Sequence, residues 1–267
     1  MARRRLLFAT CLFLPCLLVA SCGGGEELPA ADDYEDASVG SGGDPVERRP
    51  IDRAATGSVR GVVAFDGEPP VMKPLATGSE PACRRARPMY QEHALVKKGR
   101  VANAFVYVRK GLAKWELPAA PEEDVVLDQK ACIYTPHAVT VQIGQTLRVL
   151  NTDRTTHNVK VEARRNQKSN TTHPPRAGDL KYDFDKREHP VQIGCNLHPW
   201  MSAVVYVHDH PFFALTDEEG AFEIVGLPAG EYELAVAHEY FKVTEGNWKA
   251  DVKVQTGETT EVTFTLK

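Results

Sequence analysis

From Gly57 onward, apolar and polar residues alternate with a period of two. Val59, Gly61, Val63 and Phe65 share one face of GSVRGVVAF, and Ala104, Val106 and Val108 share one face of NAFVYV. The period recurs at Val139, Val141 and Ile143, at Leu147 and Val149, and toward the C-terminus through Phe222–Ile224, Tyr232–Val236, Val252–Val254 and Val262–Leu266. Successive strand side chains point to opposite faces, so this spacing predicts half-buried β-strands. Turn residues interrupt the runs at Asp66-Gly67, Gly144-Gln145, Asn151–Asp153, Glu219-Gly220, Pro228–Gly230 and Thr256-Gly257. No stretch carries a useful length of helical apolar spacing. Many short strands with regular turns predict an all-β protein built as sandwiches or barrels.

The first residues follow a different rule. Arg3, Arg4 and Arg5 precede an apolar run from Leu6 to Ala20. That run is shorter than the about 20 residues of a membrane span and has the layout of a secretory signal. It ends Val19-Ala20-Ser21-Cys22, which resembles the bacterial lipobox. The resemblance implies that residues 1–22 are a lipoprotein signal and that Cys22 is the lipidated residue. Residues 23–56 are rich in Gly, Asp, Glu, Ala and Pro, a composition that cannot bury enough surface to fold and reads as a tether. The expected location is the bacterial envelope, lipid-anchored on the periplasmic or cell-surface side, where thiols oxidise.

Composition narrows the function classes. The 267 residues are 42% hydrophobic and 25% charged, ordinary globular values. Net charge is −4, and without Arg3–Arg5 the balance is 29 basic against 36 acidic residues, or −7. A mildly acidic body argues against a nucleic-acid partner. The phosphate-loop, dinucleotide and nucleophile-elbow motifs are all missing from the sequence.

The informative chemistry is Cys195-Asn-Leu-His198-Pro199-Trp200-Met201, placed between two apolar runs. It sets a thiolate, an imidazole and a thioether on one short loop, and His157 supplies another imidazole at the head of an upstream strand. Two His and one Cys with a weak axial Met is the blue-copper donor set. Residues about 124–208 resemble a cupredoxin of the plastocyanin and amicyanin type. The likeness runs through AVTVQIGQTLRVL, through Asn151-Thr-Asp-Arg-Thr-Thr-His157-Asn158-Val159, and through Cys195–Met201 with Pro199 and an aromatic after His198. It implies a Greek-key β-sandwich or barrel that holds one mononuclear type 1 copper. The implied ligands are His157, Cys195, His198 and Met201, with Asn158 tying the two ligand loops together. It also implies that His198 reaches the surface, which makes Pro199 and Trp200 the expected docking surface for a redox partner. Two departures are the polar stretch 164–180 and Gly194 before the cysteine. Four protein donors leave no open metal position, so the protein is expected not to be an enzyme.

The stretch Leu215–Lys267 carries T-D-E-E-G-A-F-E-I and then G-L-P-A-G-E-Y-E-L. It resembles the carboxypeptidase regulatory-like, transthyretin-related β-sandwich. The opening pieces of that fold, Gly57–Val63 and Ala102–Arg109, lie before the cupredoxin-like region. The expected organisation is therefore a cupredoxin at 119–208 inserted into a sandwich whose halves are 57–118 and 209–267. A tandem arrangement is the alternative.

Cys83 and Cys132 both lie in the exported body, and an oxidising compartment favours a disulfide between them. A second metal site using His93 or His137 is the alternative. His173, His189, His208, His210 and His238 are scattered, and His208-Asp209-His210 is expected to sit at an interdomain junction without a ligand role. The leading function is single-electron transfer, ahead of copper sequestration or delivery and of a metal-free β-sandwich binding or adhesion module.

Overall fold

The computed structural model describes residues 47–77, 80–84, 88–241 and 247–267. The signal at 1–22, Cys22 and most of the stretch 23–56 lie outside the described residues. Within them Arg49 already pairs with Trp115, and Asp52 caps a turn at Arg53–Ala55, so the end of that stretch is part of the folded body. The described residues form strands and short 3-10 turns, with no α-helix among them.

Two β-sandwiches are present. In the first, one sheet is built around β1 (Thr56–Phe65), which pairs antiparallel with β15 (Ala221–Pro228) and parallel with β18 (Thr259–Leu266). The short β2 (Val96–Lys97) and β3 (Arg100–Val101) extend it. The facing sheet has the order β14 (Phe213–Leu215), β4 (Phe105–Lys110), β16 (Gly230–Ala237), β17 (Lys249–Val254). Val59, Val63, Val106, Val108, Ile224, Leu234 and Phe264 fill the space between these two sheets. The sequence places β1–β4 before residue 111 and β14–β18 after residue 212, so each sheet mixes strands from both ends of the chain.

The residues between form the second sandwich. One sheet runs β10 (Ser169–His173), β9 (His157–Glu162), β12 (Glu188–Gly194), β13 (Ser202–His208), β7 (Ala138–Gln142). The other runs β11 (Leu180–Asp183), β8 (Thr146–Asn151), β5 (Val125–Lys130), β6 (Ile133–Thr135). Leu127, Leu147, Val149, Val159, Val191, Ile193 and Val205 form its core. Cys83 and Cys132 are joined in a disulfide and are fully buried at the edge of this core. Closing a 49-residue separation is worth on the order of 4 kcal/mol in the chain-entropy account.

Strands β4 and β13 are buried on both faces, which explains their continuous apolar runs FVYV and AVVYV. Val106 and Val108 face the first core, and Ala203, Val205 and Val207 face the second. The opposite faces, Phe105, Tyr107, Val204 and Tyr206, meet each other, with Phe105 stacked on Tyr206 at 4.9 Å. The two sandwiches therefore share a third, aromatic core.

The repeated motifs of the first sandwich have local causes. Thr216 Oγ1 accepts the Ala104 amide and donates to the Val101 carbonyl. Asp217 Oδ1 accepts the amides of Glu219 and Ala221, closing a turn in which Gly220 has φ +71. Tyr232 Oη donates to the Pro228 carbonyl at 2.7 Å, fixing the G-L-P-A-G-E-Y corner. Gly61 permits close approach of β18: a Cβ there would lie 1.8 Å from the Val262 carbonyl oxygen. Gly61→Ala is expected to cost at least about 3 kcal/mol, because backbone rather than a flexible side chain must move. Chemical denaturation measures it, and a loss under 1 kcal/mol would show that β1 and β18 are not paired as described.

Candidate metal centre

The end of β12 and the start of β9 meet at one end of the second sandwich, because Gly194 pairs with Lys160 in the antiparallel register. Cys195 follows β12, His157 opens β9, and the loop Cys195–Met201 leads into β13. Within the loop the Met201 amide donates to the His198 carbonyl at 2.8 Å. Asn158 holds the loop from outside: its Oδ1 accepts the amides of Asn196 at 2.7 Å and Leu197 at 3.3 Å, and lies 3.3 Å from Cys195 Sγ. Its backbone amide also points at Sγ, at 3.5 Å. Tyr134 Oη lies 3.1 Å from the Asn158 carbonyl and 3.0 Å from the Gly194 carbonyl, tying the two strand ends together.

His157 Nδ1 and His198 Nδ1 are 2.9 Å apart, and Cys195 Sγ is 3.7 Å from His198 Nδ1. The three donor atoms lie within 4.8 Å of one another. All three side chains are buried, and Met201 is buried in the same core cluster as Cys195. His157 Nε2 is 3.0 Å from Asp153 Oδ2. A carboxylate only accepts, so Nε2 carries a proton, and Nδ1 faces the other donors and can bind a metal once it has lost its own proton. Burial alone would lower the His157 pKa, but Asp153 and Cys195 outweigh it and raise it to about 9. Burial alone would raise the Cys195 thiol, yet His157 and the amides of Asn158, His198 and Leu197 hold it below its ordinary value. The amides that face this sulfur favour a thiolate. The donor set fits a soft, thiolate-preferring metal.

His198 is 4% exposed, so the expectation that its ring reaches the surface is corrected. Pro199 is exposed and Leu197 is 56% exposed. Trp200 is half-buried, and its indole N–H donates to the Cys132 carbonyl at 3.0 Å. The indole N–H is therefore engaged inward, while the adjoining Pro199 stays exposed. Pro199 and Trp200 form one wall of a small cavity, with Leu75, Tyr90 and His93 opposite.

His137, His189, His208, His210 and His238 are held by hydrogen bonds. His137 Nε2 pairs with Glu239, an acceptor, in a buried contact. His208, Asp209 and His210 offer donor atoms close together, but the proton positions argue against a metal. His210 Nδ1 accepts the Phe212 amide, so its proton is on Nε2, which faces the Val108 carbonyl. His238 repeats the pattern, accepting from Tyr240 and facing the Ala102 carbonyl. His208 links His210 to His189 at 2.9 and 2.8 Å, and His189 is bonded onward to the Val207 backbone. Burial, with the Arg187 cation nearby, pushes His189 down to about 3 and His210 to about 4; burial, with His137 and His93 nearby, takes His238 to about 4. The environments of His189, His210 and His238 favour the neutral imidazole. Cys132, grouped with Asp153 and His157, is in the disulfide and offers no thiolate.

Sequence reasoning missed Asp153, Tyr134 and Gln129. The carboxylate four residues before His157 was the available signal for the first. Gln129 Nε2 lies 3.3 Å from the Asn158 carbonyl, and nothing in its own strand marks it.

The strands around Thr216, Gly220 and Tyr232 decide what the C-terminal part resembles. Residues 198–267 match the carboxypeptidase regulatory-like domain. The carboxypeptidase regulatory-like match starts at His198 and takes in β13, which in the structure pairs with β7 of the second sandwich. No curated protein matches the chain. Similar solved structures include a copper-containing nitrite reductase from Thermus scotoductus SA-01, at 15% identity over 35% of this chain and TM-score 0.31. This chain spans only 25% of that reductase. A purple cupredoxin from Nitrosopumilus maritimus is 19% identical over 32% of this chain and 99% of its own, with TM-score 0.27. An oxidised mutant of amicyanin is 18% identical over 35% and 97%, with TM-score 0.30.

Proposed function

We propose that this chain is a lipid-anchored, extracytoplasmic type 1 copper protein that passes single electrons between redox partners and performs no catalysis. The observation that carries the reading is the buried convergence of His157 Nδ1, His198 Nδ1 and Cys195 Sγ. Copper bound there would supply one-electron chemistry. His157, Cys195 and His198 would hold it, with Met201 as the weak axial donor. Asp153 keeps the His157 lone pair aimed inward, and Asn158 holds the loop. Hydrogen bonds from Asn158 and Tyr134 hold both ligand loops, which would limit reorganisation when the electron moves. The N-terminal Cys22 supports a lipid anchor, and the partner is a redox protein of the envelope.

The burial of His198 favours a second reading, copper storage or delivery, because electron exchange gains from an exposed ligand edge. One spectrum separates the two. The mature protein loaded with one equivalent of Cu(II) is expected to show an intense visible thiolate-to-copper band that bleaches reversibly on reduction. Colourless, tight Cu(I) binding would favour delivery, and no binding of copper would remove both readings.

A further inference from the structure

The disulfide sits where both ligand loops come together. Cys132 occupies the two-residue turn between β5 and β6, and both central residues, Ala131 and Cys132, have positive φ, 60 and 57. Neither is glycine, so this turn conformation needs external support. It has three supports. The first is the bond from Cys132 to Cys83. The second is Asp153: the left-handed conformation turns two successive amides to the same side, and the Asp153 carboxylate accepts both, each at 2.7 Å. The third is the Cys132 carbonyl, which accepts from Trp200 Nε1 at 3.0 Å.

Two of these supports lead to metal donors. The Asp153 oxygen that accepts the Cys132 amide is the one bonded to His157 Nε2. Trp200 lies on the loop between His198 and Met201, with its ring 5.2 Å from the His198 ring. One turn thus grips the β9 ligand through Asp153 and the Cys195–Met201 loop through Trp200.

We propose that the disulfide-held turn Lys130–Ile133 positions the metal ligands, with Cys132, Asp153 and Trp200 acting as positioning residues rather than as fold stabilisers alone. This rests on the copper reading above. It gives the Cys83–Cys132 bond a role in the metal site, sixty-three residues in sequence from Cys195. A disulfide that only stabilised the fold would have no reason to end on a turn whose donors and acceptor address both ligand loops.

The test uses the full mature protein loaded with copper, comparing wild type with Trp200→Phe, Asp153→Asn and the pair Cys83→Ser/Cys132→Ser. The readouts are the thiolate band, the reduction potential and the rate of Cu(I) loss to excess bicinchoninate. Each variant is expected to bind one copper, with a shifted band and metal loss at least tenfold faster. Trp200→Phe is expected to add little once the disulfide is gone, because both act through one turn. If the disulfide pair does not fold, Trp200→Phe and Asp153→Asn decide, since each cuts one link and leaves the bond. Variants that lower thermal stability while keeping wild-type band, potential and metal release overturn the proposal. A wild-type protein with no thiolate band overturns the copper reading itself, and this proposal with it.

Discussion

Cys195→Ser is expected to abolish the visible thiolate band completely while leaving the β-sheet circular dichroism unchanged. The band requires sulfur as donor, and Cys195 is the free cysteine among the described residues. The fold does not require it. The sulfur sits at the end of the second core, whereas Leu127, Leu147, Val149, Val191 and Ile193 supply the burial that holds the sheets together. A serine hydroxyl accepts the Asn158 amide in place of Sγ, so the local cost is about 1–2 kcal/mol, within the 5–15 kcal/mol margin of a folded domain. Visible absorption of the copper-loaded variant checks the first half and far-ultraviolet circular dichroism the second. A retained band would take Cys195 out of the ligand set.

Acid is expected to unfold the metal-free protein well above the pH at which most carboxylates protonate. His189, His208, His210 and His238 are held neutral, with pKa values below the ordinary histidine value. For a group lowered in the fold, the unfolded chain binds the proton first. The stability it contributes is complete above about pH 6.5 and is lost as pH falls toward the folded value. Each such histidine can steepen the loss by up to about 1.4 kcal/mol per pH unit, and because His189, His208 and His210 are bonded to one another their losses do not simply add. His137 has the opposite sign: Glu239 raises it against the effect of burial, so its contribution is full in acid and fades toward alkaline pH. It does not offset the acid loss. Urea midpoints measured from pH 7 to pH 4.5 test this. A constant midpoint would mean that these imidazoles are not held in environments that disfavour their charge.

The strands and the ligand loop were legible because each depends on local rules. A two-residue period identifies a half-buried strand, and Cys-x2-His-x2-Met between strands brings three donors together whatever surrounds them. The disulfide was also legible, since the sequence offered Cys83 and Cys132 few other roles. The burial of His198 was not legible. It depends on what packs over the loop, and no pattern within Cys195–Met201 records that. The inward bond of Trp200 was not legible for a related reason. An exposed-looking aromatic beside a ligand suggests a docking surface, but its indole N–H has a partner sixty-eight residues away, at Cys132. Asp153 was in view within the Asn151–His157 segment, and its role needed the turn at Ala131-Cys132, which only the folded chain brings to it.

The pairing of β1 with β18 bears on the order in which the molecule assembles. Their registered residues, such as Arg60 and Glu261, lie 201 positions apart, and their side chains are bonded as well. Closing a loop of that length is slow when the intervening chain is unstructured. Here the intervening chain folds into a sandwich that leaves β4 and returns at β14, and these two strands pair directly, Tyr107 with Phe213 and Phe105 with Leu215. Once the inner unit has formed, the outer strands have only a short effective distance to cover. The topology therefore favours assembly from the inside outward, because the inner sandwich shortens the loop that β1 and β18 must close.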